Sequence, residues 1–164
     1  MSYKNENMKM IELHENGLDI QFRIRENGVV ELADFSSQEV KKAVMEPKDD
    51  ICYPAVEIHR SGTGSLNMHA YKNNINQSSV DFVYENHELK AQAGGKELEI
   101  VMISPEKLKA VYHMRLFDGV PAVQTWTEII NEGSEDQGLT YVSSFMYQGC
   151  LLYTSPSPRD YAAS

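Results

Sequence analysis

Apolar side chains recur at every second position through most of this chain, and that period commits it to β-strands. From residue 18, Leu18, Ile20, Phe22 and Ile24 fall on one face while Asp19, Gln21, Arg23 and Arg25 fall on the other. Glu26-Asn27-Gly28 then turns the chain, Asn27-Gly28 suiting the positive φ angles of a tight hairpin, and Val30 and Leu32 continue on the return strand. Residues 41–50 read as a polar connection in which Pro47 ends any helical turn. Residues 52–62 read as a strand carrying Val56 and Ile58 inward, and residues 63–79 as a long polar loop. Residues 80–104 give two or three strands broken at Asn86 and at Gly94-Gly95. Ala110, Tyr112, Met114 and Leu116 then alternate with Val111, His113, Arg115 and Phe117. Asp118-Gly119 marks a bend, residues 123–130 form the partner strand, and Leu139, Tyr141, Ser143 and Phe145 share one side of a closing strand. With no helical stripe and no fixed internal repeat, the pattern predicts an all-β fold, an antiparallel β-sandwich.

Composition removes several functions. The 164 residues are 41% hydrophobic and 24% charged, ordinary values for a globular chain. A net charge of −9 offers no basic surface to displace counterions, so nucleic acid is not an expected partner. No run approaches the roughly 20 apolar residues of a membrane-spanning helix, and the N-terminal residues lack a secretory pattern, so no membrane and a cytoplasmic location are expected. Neither Cys52 nor Cys150 has a Cys or His at ligand spacing, so no metal is expected. Cys52 reads as a small semi-buried strand residue.

Few residues suggest chemistry. Trp126, the only tryptophan, reads as a core or interface aromatic in preference to a sugar-stacking platform. Asp118 reads as a turn residue. Tyr141 and Ser143 have no nucleophile elbow or partner histidine nearby. His14, His59, His87 and His113 are scattered and read as surface or strand residues. The loop over residues 61–72 is the one stretch that suggests direct binding. Asn67, His69 and Lys72 follow Gly62 and Gly64 there, and they are the candidate substrate-binding residues.

Two stretches carry a family resemblance. FDGVPAVQTWTEIINEGSEDQGLTYVSSF, residues 117–145, and more weakly YPAVEIHRSGTGSLNMHAYKN, residues 53–73, resemble the N-terminal β-sandwich domain of glycoside hydrolase family 36, the α-galactosidases or melibiases. Leu66 and Asn67 stand where acidic residues would be expected in that family's loop. The resemblance implies a supersandwich-type domain preceding a catalytic (β/α)8 barrel. It also implies a parent enzyme that hydrolyses terminal α-D-galactosyl residues with retention and needs no cofactor. Retention requires two carboxylates about 5 Å apart, which the family places on the barrel, so no catalytic residue is assigned to this chain. The implied partners are the parent's own barrel, a second copy in a homo-oligomer, and galactoside only through the parent. The alternative is a free-standing carbohydrate-binding β-sandwich module.

The last residues break the pattern. CLLYTSPSPRD, residues 150–160, resembles the translation of a transposon-based sequencing adapter. That implies a partial sandwich domain over residues 1–149, incomplete at its C-terminal end, and an unstructured artefactual tail over residues 150–164. A sandwich short of two or three strands would lose much of a stability margin of about 5–15 kcal/mol, so poor solubility is expected.

Overall fold

A computed structural model describes residues 9–37, 53–64 and 77–147. The described residues are almost entirely β: β1 (Lys9–Glu15), β2 (Leu18–Ile24), β3 (Val30–Ser37), β4 (Ile58–Arg60), β5 (Val83–Gln92), β6 (Gly95–Ile103), β7 (Leu108–Phe117), β8 (Val120–Asn131) and β9 (Leu139–Val142), with one short helix, α1 (Gln77–Val80). Every pairing is antiparallel. A three-stranded sheet, β1-β2-β3, packs against a four-stranded sheet, β5-β6-β7-β8, and β4 pairs with β9 in a separate ribbon.

The alternation seen in the sequence builds the core. Leu18, Ile20, Phe22 and Ile24 of β2 face Leu98, Ile100 and Met102 of β6 and Ala110, Tyr112, Met114 and Leu116 of β7 in one contiguous buried cluster. Phe22 and Tyr112 meet edge to face at 5.7 Å across the two layers. Burial pushes the Tyr112 phenol well above its usual range, against a hydrogen bond from Thr125.

Glu-Asn-Gly occurs twice, at residues 15–17 and 26–28, and both copies turn hairpins. The first joins β1, which the sequence reading did not separate, to β2, and there Asn16 and Gly17 both take positive φ (52° and 81°). In the second only Gly28 does, at 85°. The Gly28 amide donates to Arg25 O and Arg25 N–H to Val29 O, so this is a wider turn than the two-residue hairpin expected. A Cβ on Gly28 would meet Val83 Cβ at 2.9 Å, and Tyr84 N–H donates to Gly28 O, which ties this turn to β5.

Asn16 ties the opposite end. Its side-chain amide donates to Phe117 O (2.9 Å) and its oxygen accepts from Gly119 N–H (3.0 Å), pinning the β7–β8 bend to the first hairpin. Asn16→Ala should cost about 1–2 kcal/mol through two hydrogen bonds and a strained φ. Asn16→Asp, which keeps only the acceptor, should cost less. Urea unfolding of the three proteins checks the order.

Other elements differ from expectation for local reasons. Asn86 sits at a register shift within β5 and does not end it. The strand expected over residues 52–62 shortens to Ile58–Arg60, with Val56 and Ile58 buried as expected. The loop expected through residue 79 includes α1, whose buried Ser78 and Ser79 hydroxyls donate to Ile58 O, while Ile58 N–H and Arg60 N–H donate to Ser79 Oγ and Ser78 Oγ. Two hydroxyls thus do for one edge of β4 what a neighbouring strand would. The closing strand stops at Val142, and Ser143 is buried while Leu139, Tyr141 and Phe145 are exposed.

Candidate functional site

The outward face of the four-stranded sheet collects the polar side chains that the core excludes. Strand pairing sets Glu88, Glu99, His113 and Trp126 in one row across β5, β6, β7 and β8, with Lys90, Glu97, Arg115 and Gln124 in the next. His113 lies at the centre and is only 7% exposed, although its row faces away from the core. Trp126 covers it: the rings stack 4.6 Å apart and 5° from parallel. Three carboxylates surround the imidazole. Its Nδ1 lies 2.9 Å from Glu97 Oε1 and 4.0 Å from Glu99 Oε1, and its Nε2 lies 3.8 Å from Glu128 Oε1. That Nε2 is buried without a hydrogen-bond partner. Lys90 bonds the other oxygen of Glu99 and pairs with Glu88, which holds its ammonium above the usual lysine range, the Glu99 hydrogen bond acting most strongly.

This row can bind or orient a cation. It cannot perform glycoside hydrolysis as a carboxylate pair. Donor oxygens of Glu97 and Glu99 lie within 4.8 Å of one another, as do both from His113. The two residues nevertheless rise side by side from positions i and i+2 of one strand. A retaining glycosidase needs its carboxylates on opposite sides of the scissile bond, whereas these two rise from the same face of one strand.

A second polar region adjoins β4. The Arg60 guanidinium, largely buried, pairs with Asp81 (2.9 Å) and Glu106 (2.6 Å). Burial alone would raise the Glu106 carboxyl, but its own backbone N–H and hydrogen bonds from Arg60 and Ser104 hold it below the usual carboxylate range. Glu106 also lines an open groove of about 420 Å³ with Pro105, Lys107, Glu132, Gly133 and Glu135.

The candidate residues Asn67, His69 and Lys72 lie outside the described residues, as do Cys52, Cys150 and the 150–164 tail. The base of their loop is described: Gln77 N–H donates to Gly64 O at 3.1 Å, so the two ends meet beside Arg60. The other described histidines each have a neighbour. His14 pairs with Asp19 and His59 with Glu57. Tyr84 Oη lies 2.8 Å from His87 Nδ1, and burial, then Lys9, holds the His87 imidazole below its usual range. His113 is the one whose surroundings the sequence reading missed. The signal was present in the alternation: Glu97, Glu99, His113, Trp126 and Glu128 all sit out of phase with the core positions, and pairing β6 and β8 with β7 brings them together.

No helix among the described residues is long and apolar enough to cross a membrane. No family model matches the chain, and no curated protein matches it in sequence. Among solved structures, the GH36 alpha-galactosidase AgaA from Geobacillus stearothermophilus is similar, at 13% identity and a TM-score of 0.47, over 77% of this chain and 23% of that one. This chain therefore spans about a quarter of that protein's length. At that identity and score the likeness assigns neither activity nor site residues here.

Proposed function

We propose that this chain is a non-catalytic β-sandwich domain of an α-galactosidase-type glycoside hydrolase, a scaffold and contact surface for a catalytic barrel encoded by the same gene. The observation that carries the reading is how residues 117–145, the stretch resembling family 36, are used. They run from the Asp118-Gly119 bend through β8 of the four-stranded sheet to β9 of the ribbon, and the hydroxyls of Thr127 and Ser143 help to tie these parts together. Thr127 Oγ1 donates to Ser143 O at 3.0 Å, and Ser143 Oγ accepts from Glu57 N–H at 2.7 Å. Hydroxyls spent on joining β8, the end of β9 and the approach to β4 suit a framework better than a reaction centre. Galactoside hydrolysis, with its two carboxylates, then belongs to the barrel, and Asn67, His69 and Lys72 remain the residues of this domain proposed to approach substrate.

Two measurements test this. The purified chain should release no nitrophenol from a nitrophenyl α-galactoside above the buffer rate; turnover that follows the protein through purification overturns the reading. Sequencing the gene beyond the codon for Gly149 should reveal further strands and then β-α repeats. A stop codon there, together with saturable melibiose binding that perturbs Trp126 fluorescence, would establish a free-standing carbohydrate-binding module instead.

A further inference from the structure

We propose that Glu97, Glu99 and His113 form a site for a divalent transition-metal cation of the zinc class, with Glu128 fixing the imidazole from behind. The site rests on side-chain geometry set by strand pairing and stands or falls separately from the glycosidase reading.

The donor set is one imidazole nitrogen and two carboxylates, which suits zinc-like cations and falls well short of the six to eight oxygens that calcium takes. Around a tetrahedral ion with bonds of about 2.0–2.2 Å, donors lie roughly 3.4 Å apart. His113 Nδ1 now lies 2.9 Å from Glu97 Oε1 and 4.0 Å from Glu99 Oε1. Opening the first distance and closing the second by about half an ångström each sets both to that spacing, and the carboxylate oxygens, within 4.8 Å of one another, draw together around the same ion. The cation would replace the hydrogen bond between Nδ1 and Glu97. Glu99 Oε1 is available because Lys90 bonds Glu99 through Oε2.

The second, independent observation is the buried Nε2 of His113, which has no hydrogen-bond partner and faces Glu128 Oε1 at 3.8 Å. An imidazole that binds metal through Nδ1 carries its proton on Nε2, and metal-bound histidines usually donate that proton to a carboxylate. Glu128 Oε1, 3.8 Å away, accepts it once its exposed side chain closes to the roughly 3 Å of a hydrogen bond. Trp126, stacked on the same ring, keeps the imidazole from rotating away. In the two central rows and Glu128 beside them, Glu88, Glu97, Glu99 and Glu128 outnumber Lys90 and Arg115 by two charges, which a divalent cation balances.

The only tryptophan of the chain reports on the site. Titrating the full 164-residue chain with Zn²⁺ by calorimetry should give one saturable site, and Co²⁺, a paramagnetic surrogate, should quench Trp126 with the same stoichiometry. His113→Gln should abolish both signals, Glu99→Gln should weaken binding by more than tenfold, and Glu128→Gln by roughly tenfold. Lys90→Met should tighten binding, because it removes a positive charge that offsets Glu99 and Glu88 beside the site. This gain does not depend on whether the His113 variant folds. His14→Gln and His59→Gln should change nothing. Absence of saturable Zn²⁺ binding overturns the proposal. So does binding that survives both Glu99→Gln and His113→Gln, or a Lys90→Met chain that binds no tighter.

Discussion

Phe22→Ala should lower the free energy of unfolding by about 3–5 kcal/mol, a large share of the margin of about 5–15 kcal/mol that a small domain commands. Phe22 is fully buried on the middle strand of its sheet and touches the Tyr112 ring, itself 1% exposed, across the interlayer space. Truncation removes the side chain that joins the two layers at their centre. The neighbours Ile20, Leu98 and Ile100 belong to hydrogen-bonded strands and cannot collapse into the space without breaking register. Urea unfolding followed by Trp126 fluorescence measures the loss. A variant that separates into the insoluble fraction has lost the same margin by another readout. Phe22→Leu keeps most of the volume and should retain most of the stability. The double variant with Tyr112→Phe isolates the hydroxyl. If Phe22→Ala loses less than about 1 kcal/mol, the two sheets do not share this core.

The sandwich was legible because the signal for it is dense. Phe22, Leu98 and Tyr112 obey the alternation, and each lands inside. The second Glu-Asn-Gly turn was legible for the same reason, since long periodic strands flank it. The first has a weaker strand before it, with Ile11 and Leu13 its buried apolar residues, and an identical tripeptide does not by itself mark a hairpin there. Alternation assigns a residue to a face but does not say whether that face is wet. Glu31, Glu97 and His113 all point away from the core, yet all are buried, because later parts of the chain or neighbouring long side chains cover them. The cluster around His113 is legible only once the register of β6, β7 and β8 is known, which a single sequence does not supply. The short helix α1 has no periodicity to read, since two serines serve a strand edge through side-chain hydroxyls. Asn67, His69 and Lys72 rest on loop chemistry and the family resemblance, and strand physics has no bearing on them.

Glu31 shows how such a covered face becomes a liability when one group is removed. Its row on β2–β3 faces away from the core, but residues 53–56 cross it: Ala55 N–H donates to Val30 O at 2.7 Å, and Glu31 is left 6% exposed. The carboxylate is placed to serve three groups, Arg25 Nη1 at 3.1 Å, Arg23 Nη1 at 3.6 Å and the Tyr53 N–H at 3.0 Å. Glu31→Ala therefore leaves the mostly buried Arg23 charge without this counter-ion and deprives a connector amide of its acceptor. A loss of about 3–5 kcal/mol follows, the range for breaking a buried pair from one side. Glu31→Gln keeps an acceptor for Tyr53 and should lose less, about 1–3 kcal/mol. The deciding variant changes both partners: Arg23→Met with Glu31→Leu should recover most of the stability, because a buried ion pair replaced whole by apolar groups is often neutral. If the double variant unfolds as readily as Glu31→Ala, the carboxylate acts chiefly by holding residues 53–56 against β3, and the charge of Arg23 is of little consequence.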